Sequence, residues 1–194
     1  MWEAILLILV SNAMWVPKPA RIRMTGFPLA LTLMGVAWWY GSFPSSVYHH
    51  VAPPQGVVWR LLCMIVLVDA LQTLLHKASH TVLKGSVLGK SHMVHHLARD
   101  PVPYDAFATG VLDAIFQLIA PIFLAVFVLH PDRTTLTLFG ALYSWWLQFL
   151  HSPPKPWHKN LRAFGLVTPE DHRRHHTNPN VEFSNVFHIS SRAA

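Results

Sequence analysis

The sequence predicts an all-α integral membrane protein with four to five transmembrane helices and a histidine-rich helical cap facing the cytosol. Three observations predict this class. The chain of 194 residues is 52% hydrophobic and only 12% charged, whereas a typical soluble domain is about 25% charged. Its apolar residues are gathered into five long runs, and most of its fourteen histidines lie between or after those runs.

The five apolar runs are the predicted spans. In chain order they are Trp2–Val16, Gly26–Tyr40, Val57–Leu75, Gly110–Leu129 and Thr135–Leu150. A helix needs about 20 residues to cross a bilayer, so the third and fourth runs are long enough, and the fifth nearly so. The first two are short enough to lie tilted in the interface instead. We therefore divide the chain into residues 1–56, with the N-terminal spans and an outer loop, and residues 57–194, with the remaining spans and the histidine groups.

The basic residues predict the orientation of these spans. Thirteen of the 15 lysines and arginines lie in the connections that follow the first, third and fifth runs, and the opposite connections hold only Arg60 and Arg133. Because positive charge resists translocation, the 13-residue side is expected to face the cytosol. This asymmetry accounts for the net charge of +6. No basic stripe is interleaved with exposed aromatic residues, so we expect no nucleic-acid partner.

Nine histidines form four ordered groups along the chain. The groups are His76 with His80; His92 with His95 and His96; His151 alone; and His172 with His175 and His176. Positions three or four apart share a helix face, whereas the adjacent histidines of each HxxHH group diverge by about 100°. One short helix can therefore offer ligands to two neighbouring metals. An even number of crossings separates the early groups from the late ones, so all four are expected to meet on one side.

Eight or nine neutral imidazoles predict a site for two metal ions that favour nitrogen ligands, namely iron, zinc, copper or nickel. Asp69 shares a helix face with His76 and His80 to within about 20°. We expect its carboxylate to accept the far ring N–H of a ligand histidine, and the alternative is a structural hydrogen bond between helices. Asp113 and Gln117 are weaker candidates for a polar wall of the site.

The five other histidines are given no metal role. His49, His50 and His130 fall on the predicted outer side, and His158 and His188 lie on the cytosolic side without helical partners.

These residues resemble the fatty acid hydroxylase/sterol desaturase superfamily of membrane di-iron enzymes, over about Val68–Phe187. Asp69, His76, Lys77 and His80 match its D-x6-H-[RK]-x2-H element, and the His92 group matches the element after it. FLHS at Phe149–Ser152 is similar to the isolated histidine at a span end, and TPEDHRRHH at Thr168–His176 to the P-x2-H-x2-HH element.

The resemblance implies two iron ions, with zinc as a substitute, in a dioxygen-dependent hydroxylase or desaturase. The substrate would be a sterol, a fatty acyl chain or a related lipid in lipid biosynthesis. It also implies a location in the endoplasmic reticulum or bacterial inner membrane, and electrons from a cytochrome b5-type donor or another redox partner. Two departures stand out: Thr73 replaces a frequent Tyr, and the family's pattern after the last HxxHH begins with NPNVEFSNVFHISSRAA and stops. We therefore expect a C-terminus that is truncated relative to the family.

Two other classes of protein are alternatives. A zinc-dependent membrane hydrolase needs three ligands, an open water position and usually a Glu base; eight ordered histidines exceed that need, and the nearby acids are Glu170 and Asp171. A catalytically impaired relative or a metal transporter is the second alternative, although transport favours ionisable residues deep within several spans. The sequence leaves hydroxylation and desaturation as alternatives.

Overall fold

The structure of the protein is a computed structural model that describes residues 54–188. This part of the chain is mainly helical. In chain order its helices are α1 (Pro54–His80), α2 (Val87–Met93), α3 (Val111–Leu129), α4 (Arg133–Leu150), α5 (Lys159–Ala163) and α6 (Pro169–Thr177). Single 3₁₀ turns at His95–Leu97, Pro103–Phe107 and Pro156–His158 lie in the connections. The predicted spans Trp2–Val16 and Gly26–Tyr40, and the outer loop with His49 and His50, lie outside the described residues.

Helices α1 and α3 correspond to the third and fourth predicted spans. Among the described residues, Gly56–His80 and Val111–Leu129 are the two segments long and apolar enough to cross a membrane. Only 28% and 33% of their apolar windows are buried within the protein, whereas a core helix of a soluble protein is mostly buried. Their outward faces expose large apolar side chains such as Val66, Leu74 and Phe127. The predicted fifth span is α4, and its crossing of a bilayer stays a prediction.

A tight turn joins α3 to α4. His130 ends α3 in the left-handed region (φ 44°). Asp132 then caps α4, because its carboxylate accepts the backbone N–H of Thr135 at 3.0 Å. The same carboxylate pairs with Arg60 of α1 at 3.3 Å. This end of the bundle is therefore closed by a capped turn that α1 also holds.

Helix α3 is interrupted by a π-helical stretch over Ala114–Ile119. Pro121 has no N–H to donate to the carbonyl of Gln117, four residues earlier. The amide of Gln72 on α1 supplies the missing donor, at 2.6 Å from Nε2 to that carbonyl oxygen. Gln72 Oε1 in turn accepts from Tyr143 of α4 and from Asn185. This buried polar side chain therefore links the three long helices.

The three long helices also share an apolar core. Its buried members are Met64, Val68, Ile122, Ala125, Val126, Leu136, Phe139, Tyr143 and Val186. Lipid chains are as apolar as these side chains, so close packing and polar contacts such as those of Gln72 hold membrane helices together. The core thus fixes the relative positions of the ends of α1 and α4, from which histidines project.

The second histidine group departs from its predicted single helix. Helix α2 ends at Met93, and His95 and His96 lie on the following 3₁₀ turn. Gly89 permits this compact arrangement, because a Cβ there would lie 2.2 Å from the carbonyl oxygen of Leu83. The prediction that HMVHH forms one short helix is therefore wrong at Val94, although both halves face the same region.

Candidate metal centre

All nine predicted ligand histidines come together at one end of the bundle. His76 and His80 lie in the last turns of α1, and His151 directly follows α4. Helix α6 carries His172, His175 and His176, and its start is set by the N-cap Thr168, Pro169 and a capping box with Asp171. Every one of the nine side chains is buried. The predicted convergence of the four groups is therefore present in the fold.

The nine imidazoles divide into two clusters, in each of which one ring nitrogen per residue lies within 4.8 Å of the others. The five-histidine cluster contains His76, His80, His92, His96 and His175. The four-histidine cluster contains His95, His151, His172 and His176. The adjacent pairs 95/96 and 175/176 are split between the clusters. This is the divergence that helical spacing predicts for neighbouring residues.

Backbone and side-chain oxygens fix the tautomer of five of these rings. Each Nδ1 lies 2.6–3.2 Å from an oxygen that can only accept, so the proton is on Nδ1 and a lone pair is on Nε2. The pairs are His76 with the Phe183 carbonyl, His92 with the Asp113 carboxylate, His95 with the Ala108 carbonyl, His151 with the Leu147 carbonyl and His175 with the Val181 carbonyl.

These inward lone pairs cannot satisfy one another. His95 Nε2 and His151 Nε2 are 3.3 Å apart, and with both protons on Nδ1 no hydrogen bond can join them. In the other cluster, His76 Nε2 and His175 Nε2 are buried without a hydrogen-bond partner. Metal–nitrogen bonds of about 2.1 Å would place neighbouring ligand nitrogens about 3.0–3.4 Å apart. The observed Nε2–Nε2 distances of 3.0–3.3 Å fit that spacing in both clusters.

Burial keeps the imidazoles neutral, as metal ligation requires. Burial, and after it the charge of His92, lowers the pKa of His95 to about 4. Burial together with His95 lowers the pKa of His151 to about 3. Burial also lowers the pKa values of His172 and His176, and charge repulsion from neighbouring histidines lowers them further. At neutral pH the four rings of the four-histidine cluster are therefore uncharged nitrogen donors.

Asp113 is the carboxylate that touches a histidine of the site. Its Oδ1 lies 2.9 Å from His92 Nδ1, and its Oδ2 accepts from the Thr109 hydroxyl. Sequence analysis gave Asp113 only a weaker role in a polar wall. The signal that singles out Asp69, an acid within an apolar run, applies equally to Asp113. A carboxylate behind a ligand histidine orients the ring and strengthens its donor nitrogen.

Asp69 has a different partner from the one predicted. Its carboxylate accepts the backbone N–H groups of Asn185, Val186 and Phe187 at 2.9–3.0 Å. The prediction that it accepts a ring N–H from a ligand histidine is therefore wrong. The backbone carbonyls of Val181 and Phe183 take that role for two of the rings. Every residue has a backbone carbonyl, so neither residue type nor spacing predicts which carbonyls will be the acceptors.

The remaining described histidines stay apart from the two clusters. His158 is buried, and its Nδ1 accepts the backbone N–H of Lys155 at 3.0 Å. His188 lies 3.3 Å from Glu182. His130 ends α3 at the opposite end of the bundle. None of these three belongs to a cluster with metal-binding spacing among residues 54–188.

A cavity of about 90 Å³ lies beside both clusters. Five of its lining residues are the histidines 76, 92, 95, 151 and 172. Its opposite wall combines the amides of Gln72, Gln117 and Asn185 with apolar side chains such as Leu118 and Leu147. The cavity thus gives a small or slender apolar group access to both clusters at once.

The fold and the site define a helical, membrane-associated protein with two buried histidine clusters suited to metal ions. The chain belongs to the fatty acid hydroxylase family, whose model matches residues 61–193. This family is membrane-associated and iron-dependent. The chain is similar to an "Alternative squalene epoxidase" of Phaeodactylum tricornutum (strain CCAP 1055/1), with 30% identity over 164 residues. That alignment covers 84% of this chain but 46% of the relative, so the chain spans about half the length of that protein. No solved structure matches the chain.

The match confirms the predicted family. The family together with the relative's name points to an oxidoreductase-type enzyme of lipid metabolism. The match over residues 61–193 falls within the predicted C-terminal division, 57–194.

Proposed function

We propose that this chain carries the di-iron centre of a membrane-bound, dioxygen-dependent lipid oxidase. The single observation that carries the proposal is the pair of imidazole clusters in which oxygen acceptors fix the tautomers of five rings from outside, so that their Nε2 lone pairs point inward. Lone pairs that converge without a proton between them need a cation. Two such clusters side by side suit two ions that act together on one substrate.

The residues of the chain have distinct roles in this proposal. The five-histidine and four-histidine clusters would each hold one iron, and the irons when bound would supply dioxygen activation and the redox chemistry. Asp113 holds the Nδ1 proton of His92, and the carbonyl of Leu147 holds that of His151. Burial of all nine rings excludes water from the site. The cavity wall positions one carbon of the substrate close to both clusters, which decides where oxidation occurs.

The substrate is proposed to be an apolar lipid that enters from the bilayer between α1 and α3. Hydroxylation would consume one dioxygen, two electrons and two protons, and would yield an alcohol and water; desaturation would consume the same and yield an alkene and two waters. The electrons would come from a cytochrome b5-type protein or another redox partner at the cytosolic face. The proposed location is the endoplasmic reticulum membrane or a bacterial inner membrane, where such an electron donor can reach the site from the cytosol.

Epoxidation is a second candidate reaction, because the relative is named an alternative squalene epoxidase. It would add one oxygen atom to a carbon–carbon double bond at the same cost in electrons and protons. A polyunsaturated hydrocarbon has no headgroup, and the cavity beside the clusters carries no described Lys or Arg that would pair with one. We propose squalene as the first substrate to test.

Metal analysis of the purified full chain separates the oxidase from its alternatives. About two irons per chain are expected. One zinc per chain would favour the membrane hydrolase instead, and a protein that takes up no metal would favour the catalytically impaired relative.

Product analysis separates the reactions. Membranes that contain the chain, a reducing system and ¹⁸O₂ are incubated with squalene or with squalane, its saturated counterpart. A labelled epoxide from squalene, absent with squalane, indicates epoxidation, and a labelled alcohol from either compound indicates hydroxylation. New double bonds without label indicate desaturation. Absence of any product from either compound, with two irons bound, would exclude this substrate class; lipid profiles of cells with and without the chain would then identify another.

A further inference from the structure

A buried carboxylate on α1 holds one segment of backbone. Asp69 lies on α1, two turns before His76, with 1% of its surface exposed. Its Oδ1 accepts the N–H groups of Asn185 and Val186, each at 2.9 Å, and its Oδ2 accepts that of Phe187 at 3.0 Å. Hydrogen bonds to a charged acceptor are among the stronger ones in proteins, and here three successive donors converge on one side chain.

The segment that Asp69 holds also contacts the five-histidine cluster. We call residues 181–187 the strap. The Val181 carbonyl accepts from His175 Nδ1 at 2.6 Å, and the Phe183 carbonyl accepts from His76 Nδ1 at 2.7 Å. The two rings face each other with centroids 4.4 Å apart. Among the Nε2 atoms of the two clusters, those of His76 and His175 are buried without a hydrogen-bond partner.

The strap has little regular structure to define its own path. Glu182, between the two carbonyl-bearing residues, lies in the left-handed region (φ 57°), which surrounding contacts must maintain. Other contacts hold the strap at its far end, where the Asn185 carbonyl accepts from Trp146 at 2.6 Å and the Val186 carbonyl from the backbone of Val167 at 2.9 Å. Gln72 of α1 also accepts from the Asn185 side chain at 3.0 Å. Asp69 therefore supplies the three backbone contacts of residues 185–187 that tie the strap to α1, the helix that bears His76.

We infer that Asp69 is a positioning residue that acts through the strap on the five-histidine cluster alone. It holds the backbone of residues 185–187, which places the carbonyls of Val181 and Phe183, and these orient His175 and His76. The inference rests on the proposed metal site and adds to it a selective effect. The two cluster histidines to which the strap is joined by the hydrogen bonds described above, His175 and His76, both belong to the five-histidine cluster.

The test is a Co²⁺ titration of the metal-depleted full chain in detergent, followed by visible absorption, for wild type and Asp69→Asn. The asparagine side chain has nearly the same volume as aspartate, but its NH₂ group replaces one of the two carboxylate oxygens that accept from the strap. The hydrogen bonds to the strap are therefore weakened. Two bound Co²⁺ are expected for the wild type. One of the two sites should bind at least about tenfold more weakly in D69N, as for other residues behind metal ligands, and the spectrum of that site alone should change.

Asp132→Asn is the matched control. Asp132 is also a buried carboxylate that accepts a backbone N–H, at 3.0 Å from Thr135, but it lies at the opposite end of α4 from His151. Both Co²⁺ sites should keep wild-type affinity and spectra in D132N. Asp69→Glu, which keeps the charge and displaces the carboxylate by one methylene, serves the same test where D69N yields too little monodisperse protein.

The outcomes separate this inference from the proposed function. A wild-type chain that binds no Co²⁺ would overturn both. A wild-type chain with two sites and a D69N titration that superimposes on it would overturn this inference alone. Equal weakening of both sites in D69N, or weakening in D132N as well, would show a general loss of stability and would also overturn it.

Discussion

At the scale of single residues, the site depends on which ring nitrogen carries the proton. Four backbone carbonyls and one carboxylate hold protons on Nδ1, so the matching Nε2 atoms face inward as donors to a cation. A histidine buried without this arrangement has another role. His158 shows the contrast, because its Nδ1 accepts a backbone N–H from Lys155.

His151→Ala should remove one donor of the four-histidine cluster. His151 Nε2 lies 3.1 Å from His172 Nε2 and 3.3 Å from His95 Nε2, so its loss opens that cluster while the other stays complete. Iron content, measured by mass spectrometry of the purified protein, should fall from about two to about one per chain, and oxidation of the lipid should be lost.

His158→Ala is the control for this change, because it removes a buried histidine that belongs to neither cluster. It should keep both irons and lose only about 1 kcal/mol of stability with its hydrogen bond. Retention of two irons in H151A would show that His151 is not a ligand. Equal metal loss in H158A would assign the effect to folding.

Sequence reasoning identifies the nine histidines because their spacing encodes a helix face. It places Asp69 beside them correctly but assigns the wrong partner, since the partners are backbone groups 116–118 residues further along the chain. Every residue except proline has a backbone N–H, so residue type does not predict which of these groups will donate to a given carboxylate. Asp113 is undervalued although it too is an acid within an apolar run. Its partner His92 lies on the far side of an irregular loop, so spacing along the chain does not predict the pair.

At the scale of elements, helix α6 matters most, because it contributes three ligand histidines and divides them between both clusters. Its first turn is held by Thr168, whose hydroxyl accepts the N–H of Asp171 at 3.2 Å and donates to the Asp171 carboxylate at 2.7 Å. Arg162 of α5 pairs with the same carboxylate. The start of the helix therefore fixes the angular positions of His172, His175 and His176.

Thr168→Ala should loosen the start of α6. Loss of an N-cap hydroxyl costs roughly 0.5–2 kcal/mol, which corresponds to a fall of a few degrees in the melting temperature of a chain of this size. Because α6 serves both clusters, the affinity for both metals should fall together, in contrast to D69N. Thermal unfolding in detergent and a metal titration measure the two effects.

Thr168→Ser keeps the hydroxyl and should retain most of the stability and both metal affinities. A serine variant as impaired as the alanine variant would assign the effect to the lost methyl group rather than to the cap.

Helix types and bounds follow closely from the apolar runs, whereas breaks within helices do not. The predicted run Gly110–Leu129 corresponds to α3, yet apolar periodicity does not predict its π-helical stretch, which precedes Pro121 and whose Gln117 carbonyl accepts from Gln72 of α1. The spacing of HMVHH likewise gives no sign that α2 ends at Met93. Periodicity therefore identifies the helices but not the breaks within them.

At the scale of the whole molecule, the clusters place mutually repelling lone pairs at the end of the bundle. Without a cation, these buried nitrogens stay unpaired, at a cost of about 1–3 kcal/mol for each unsatisfied group. Bound metal therefore contributes to the stability of the fold and to its activity alike. The apolar core of α1, α3 and α4 stabilises the fold separately, without a metal ion.

Removal of metal should lower the melting temperature of the full chain. An ion present at about 100 times its dissociation constant stabilises a fold by about 2.7 kcal/mol, so chelation should lower the melting temperature by several degrees and reloading with Fe²⁺ under anaerobic conditions should restore it. The H151A variant should show a smaller difference between its loaded and metal-depleted forms. A melting temperature unchanged after verified metal removal would contradict a structural role for the ions.

The distance along the chain between Asp69 and the strap has a consequence for biogenesis. Ribosomes add about 5–20 residues per second, so α1 is synthesised on the order of ten seconds before Asn185 exists to meet its carboxylate. Throughout that interval an acidic group lies in an apolar helix with its final partners still unmade. The contact between the two ends of this site therefore forms only after a short piece of backbone that is synthesised later than α6 reaches α1.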